Sequence, residues 1–195
     1  MTVVSLGLLT AMVVVLQIIS ATMGIKFGTF TISLCLAPII IGAALFGWKS
    51  GAWLGFVFGV VVLLTGDAAA FFTINAPGTI ITVLAKGALS GAAAGLVYTL
   101  ISKKNKTVAD FTSVLISGIV APVVNTGVFL LGCRIFFYDT LAEWGAGFGF
   151  ENTFLYMILG LVGLNFLVEL AINFVLAAAI VYIIRVVTII IKHAK

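Results

Sequence analysis

Charge is what this chain has least of: 8% of its 195 residues are Asp, Glu, Lys or Arg, where soluble domains carry about a quarter. With 63% hydrophobic residues and a mean hydropathy of +1.35, that scarcity excludes a soluble domain and defines an integral membrane protein. The apolar runs are continuous instead of alternating over stretches of about ten residues, so the spans are helical and not those of a barrel. Histidine and cysteine are equally scarce. His193 sits in the terminal Lys192-His193-Ala194-Lys195 cluster, solvated among headgroups, and Cys35 and Cys133 lie alone in apolar runs as small core hydrophobes. Neither a disulfide framework nor a metal site is expected. His-Glu-x-x-His, Gly-x-Ser-x-Gly and Gly-x-x-x-x-Gly-Lys-Ser/Thr patterns are all missing, so nothing marks an enzyme, a cofactor or a nucleotide site. The net charge of +4 comes mainly from loop and terminal lysines and reports orientation in the membrane, with no nucleic-acid partner implied.

What is present is a series of long apolar runs. They predict an all-α membrane protein with one membrane domain over residues 1–195 and six spans, at 3–23, 31–47, 49–66, 78–102, 107–138 and 153–192. The first run has no basic segment before it and no Ala-x-Ala site after it, so it reads as a retained helix. Gly7 and Ala11 within it form a small-xxx-small pair that lets another helix approach closely. Pro38 predicts a kink or a helix start in the second run. Gly51, Gly55 and Gly59 in the third run, and Gly87, Gly91 and Gly95 in the fourth, make flat packing stripes. Trp48-Lys49, the cluster Lys103, Lys104 and Lys106, and the basic tail all fall on one side, whereas the connection with Asp139, Glu143 and Glu151 holds no basic residue. The positive-inside rule then puts both termini in the cytoplasm, with Lys26 the single dissenting loop charge.

Polar residues inside the apolar runs are the best pointer to function, because each costs several kcal/mol against lipid and must face protein or a water-filled cavity. Asn165, Glu169 and Asn173 recur every four residues along one face of the last run. Thr82, Lys86 and Ser90 do the same in the fourth. At about 1.5 Å per residue, Lys86 lies roughly 12 Å, Asn165 roughly 18 Å and Asn125 roughly 20 Å below the outer ends of their helices, a common layer open to the outside. Glu169 and Asn173 lie deeper, as a cavity floor or as bonds between helices. A lysine at that depth is relieved either by Glu169 or by an anionic group on a ligand. Phe71, Phe72 and Asn75, in the connection Gly66 to Gly78, read equally as an inert turn or as a lid and pocket wall. Arg134 lies nine residues from Asn125, on the opposite side of its helix and near enough to the surface to snorkel.

The segments Leu36-Ala37-Pro38-Ile39-Ile40-Ile41-Gly42, Leu45-Phe46-Gly47 and Ala121-Pro122-Val123-Val124-Asn125-Thr126-Gly127, in that order along a chain of this length, resemble the substrate-binding S component of an energy-coupling factor (ECF) vitamin transporter. The resemblance covers essentially the whole chain. It implies a multi-pass plasma-membrane subunit that takes a small-molecule vitamin from outside, in a pocket of the later helices and outer loops. The subunit docks in the lipid bilayer on a T component driven by two ATPase subunits and topples to deliver its cargo. The family docks through an Ala-xxx-Ala motif in the first helix, to which Gly7-xxx-Ala11 is the nearest match here.

On that resemblance the expected binding residues are Lys86, Asn125, Asn165, Glu169, Phe71, Phe72, Asn75, Thr82 and Arg134, and the docking residues are Gly7 and Ala11. Lys86 and Arg134 favour an anionic or carbonyl-rich ligand such as pantothenate, with riboflavin, folate and cobalamin left open. Two other classes stay in view: a structural or morphogenetic membrane protein whose polar layer joins helices, and a stand-alone carrier coupled to protons through Glu169.

Overall fold

A computed structural model describes residues 2–23, 26–27, 30–31, 35–102 and 109–193. Lys103, Lys104, Lys106 and Lys195 lie outside the described residues, as do the side chains of Lys26, Lys192 and His193. Apart from short turns, the described chain is helical except for two short strands, β1 (Lys26–Phe27) and β2 (Phe30–Thr31), which pair antiparallel. The long helices are α1 (Thr2–Met23), α2 (Leu36–Phe46), α3 (Trp48–Leu64), α5 (Ala76–Ser102), α6 (Ala109–Phe136) and α9 (Leu164–His193). Two connections expected as loops contain helix: α4 (Ala69–Phe72) and α7 (Tyr138–Gly147). The last apolar run is continuous but not uniform, with α8 (Thr153–Leu155) passing through a π-helical stretch, Tyr156–Gly163, into α9.

Four of these helices are long and apolar enough to cross a membrane, over Val3–Thr22, Ala76–Ser102, Phe111–Phe136 and Thr153–Ile189. α2 and α3 are shorter and meet at Gly47, whose φ of +88° suits a residue without a side chain. Pro38 falls in the first turn of α2, where the missing N–H has no intrahelical acceptor to lose, so the helix begins there without a kink.

The centre of the bundle is a backbone contact between α3 and α5. A Cβ added at Gly55 would fall on the carbonyl oxygen of Gly87, and one at Gly51 on that of Gly91, with reciprocal clashes from the α5 side. The two glycine stripes are thus the two halves of one interface. Gly132 of α6 packs instead against a side chain of α5, and a Cβ there would meet that of Thr82. One apolar core, including Leu36, Ile39, Leu54, Ala121, Ile180 and Ile184, fills the half of the bundle where α2 lies. A second, aromatic core gathers Phe71, Phe129, Phe137, Leu141, Tyr156 and Met157 at the end where α4, α7 and α8 lie.

Candidate functional site

Between the two cores is a cavity of about 40 Å³, to which α1, α3, α4, α5, α6 and α9 all contribute. About 10–15 Å³ suffices for one water, so this is room for a few waters, and a larger guest must open the wall. Lys86 of α5, Asn125 of α6, and Asn165 and Glu169 of α9 converge on it, together with Thr82. A smaller extension shares Lys86, Asn125 and Asn165 and reaches Thr126 and Val162.

Local sequence explains these placements. Thr82 and Lys86 are one helical turn apart, on the face of α5 adjacent to its glycine stripe. Asn165 follows directly on the π-helical stretch. Such a stretch carries wider turns than the α-helix, and these are frequent at functional sites. Asn165 Nδ2 donates to Glu169 Oε1 at 3.2 Å, the bond that the four-residue spacing predicts.

The chemistry of the wall is mixed. The Lys86 ammonium lies 5.2 Å from the centre of the Phe129 ring, a cation–π geometry, with Glu169 and Asp67 as the carboxylates within its electrostatic reach. Asn125 Oδ1, Asn165 Oδ1 and Thr82 Oγ1 are buried and have no hydrogen-bond partner among the described residues. Buried acceptors without donors are rare and costly. All three belong to residues that line this one cavity.

Not every expected residue comes to the cavity. Phe71 does, 3% exposed, with its ring edge-on to Phe129, Phe137 and Trp144 at centroid distances of 5.5, 5.1 and 5.8 Å, whereas Phe72 is 44% exposed on the outside of α4. Asn75 is the N-cap of α5, its Oδ1 accepting from the Gly78 N–H at 2.9 Å. Arg134 is exposed and stacks over the Tyr138 ring at 4.2 Å. Asn173 bonds another helix: its Nδ2 donates to the Gly118 carbonyl at 3.1 Å. Gly7 and Ala11 are exposed on α1, and a Cβ at Gly7 would meet nothing within 4 Å.

Two cavity residues escaped sequence reasoning as binding candidates. Gln17 of α1 and Asp67, just past α3, both line it, and Gln17 Nε2 donates to Asp67 Oδ2 at 3.3 Å. The available signal was a lone amide in the middle of the first apolar run. Among the described residues, no group of three or more His, Cys, Asp or Glu side chains is placed to hold a metal ion.

The family model described as "ECF transporter, substrate-specific component" matches residues 1–181. The chain belongs to that family. Comparison with curated proteins and with solved structures returns no match. As an ECF substrate-specific component, the chain is a substrate-binding transporter subunit and not an enzyme, and it is a multi-pass protein of the plasma membrane. The family implies a small-molecule substrate of vitamin type.

Proposed function

We propose that the cavity around Lys86, Asn125 and Asn165 is the vitamin site of this S component, and that pantothenate is its first candidate ligand. The observation that carries this reading is the set of buried acceptors without donors on Asn125, Asn165 and Thr82, arranged beside a lysine. Such a wall suits a slender molecule that donates through hydroxyl and amide N–H groups and presents a carboxylate. Pantothenate has this combination. Any of these guests must open the wall of so small a cavity, and a slender chain asks for less opening than the ring systems of riboflavin, folate and cobalamin.

The proposal extends to topology and partners. Six spans with both termini cytoplasmic turn the end bearing α4, α7 and α8 outward, so that the ligand enters from outside. α1 then presents Gly7 and Ala11 as a shallow notch for the T component, and two ATPase subunits power the reorientation. The low charge of the spans suits such a movement, since each charge carried to the bilayer centre costs on the order of 3 kcal/mol or more.

Equilibrium dialysis of the detergent-solubilised chain against pantothenate, riboflavin, folate and cobalamin tests the site. Saturable uptake of one pantothenate per chain is expected; uptake of none of them refutes the assignment.

A further inference from the structure

α1 is the least buried of the four membrane-length helices, yet it sends one polar side chain into the cavity. Its buried residues are Leu9, Val13 and Gln17, one turn apart on a single inner face. Gln17 is 1% exposed, although no residue of its type is needed for packing against apolar neighbours. Two bonds hold its amide at the wall: Nε2 donates to Asp67 Oδ2 at 3.3 Å, and the Cys35 thiol donates to Oε1 at 3.6 Å. Cys35 also reaches the Val13 carbonyl at 3.5 Å, so the thiol spans the inner turn of α1. Asp67 in turn lies within electrostatic reach of Lys86 across the cavity.

The polar lining therefore has two sides. α5, α6 and α9 supply Lys86, Asn125, Asn165 and Glu169, while α1 and the turn after α3 supply Gln17 and Asp67. Phe71 and Phe129 line the same space. Gln17 and Asp67 line the same cavity as Lys86, Asn125 and Asn165, so a ligand that opens it has polar groups on both sides within reach. A carboxylate beside the site also bears on ligand charge: it repels an anion and leaves a neutral guest nearly unaffected.

Building on the assignment of the cavity as the vitamin site, we propose that Gln17 and Asp67 are specificity-determining residues. Gln17 bonds the ligand from the α1 side, and Asp67 sets how strongly an anionic vitamin is preferred over a neutral one. The helix that presents Gly7 and Ala11 on its outer face thus contacts the cargo with its inner face.

The test uses the purified full chain in detergent. Thermal stabilisation is screened with pantothenate, its neutral alcohol pantothenol, riboflavin, folate, thiamine and biotin, and those that bind are titrated on Gln17→Leu and Asp67→Asn. Gln17→Leu is expected to lose affinity at least about tenfold, and its ligand-free Tm, read beside the titration, reports separately what the lost bonds to Asp67 and Cys35 cost the fold. Asp67→Asn is expected to shift the pantothenate-to-pantothenol affinity ratio toward the anion by about tenfold, a change that loss of packing alone would not produce. Affinities and ratio within twofold of wild type in both variants overturn the role of the pair and leave the vitamin site standing. A wild-type chain stabilised by none of the compounds overturns both.

Discussion

Asn173 of α9 donates a 3.1 Å hydrogen bond to the carbonyl of Gly118 in α6, the carbonyl that Pro122, four residues on, leaves without its intrahelical donor. A proline in the middle of a membrane helix is tolerated when a neighbouring helix answers the freed carbonyl. Ser90 of α5 adds a second bond to the same region, donating to the Ala121 carbonyl at 2.8 Å. Asn173→Ala is therefore expected to lower stability by about 1–2 kcal/mol. The loss should shrink in a Pro122→Ala background, where the carbonyl regains its own N–H. Denaturant unfolding of the single and double variants measures the coupling; equal losses in both backgrounds would contradict it.

Asn125 presents the opposite case. Its buried Oδ1 has no partner among the described residues, so replacing the side chain removes an unmet acceptor and not a structural bond. Asn125→Ala should keep or raise the ligand-free Tm and lower vitamin affinity at least about tenfold, which is about 1.4 kcal/mol. Calorimetric titration beside a melting curve separates the two effects.

The Phe71-Phe72 pair divides into an inner and an outer ring. Phe71→Ala removes a ring packed edge-on against Phe129, Phe137 and Trp144, an expected loss of roughly 3–5 kcal/mol. Phe72→Ala, at an exposed position, should stay within about 0.5 kcal/mol. Comparing the Tm of the two variants decides the matter.

At the glycine seam, any side chain on Gly55 meets the Gly87 carbonyl. Gly55→Val is expected to cost about 3 kcal/mol or more, since backbone cannot rotate away as a side chain does. Gly7→Val, where the space is open, should leave folding unchanged and weaken association with the T component. Gel filtration of each variant with and without the partner complex reads both effects.

Much of this architecture is visible in the residues themselves. A lysine, a carboxylate and amides inside hydrocarbon are costly enough to announce themselves, and four-residue spacing alone puts Asn165 and Glu169 on one face. The glycine stripes were equally plain as stripes, but their pairing across α3 and α5 depends on helix direction and register, which single-chain periodicity does not encode. Gln17 stayed hidden because its meaning comes from Asp67, fifty residues away. Asn75 was ambiguous for a local reason: Asn before Ala-Pro-Gly caps a helix as readily as it lines a pocket. The π-helical turns before Asn165 leave no trace in an apolar sequence. Phe71 and Phe72 are chemically identical, and only the direction of α4 tells them apart.

Native mass spectrometry of the chain, released gently from detergent after expression, tests the central claim most directly. The account predicts one bound small molecule per chain, with a mass matching pantothenate or another water-soluble vitamin, lost in Asn125→Ala. An unliganded mass for the wild-type chain, unchanged across the whole vitamin panel, would contradict it.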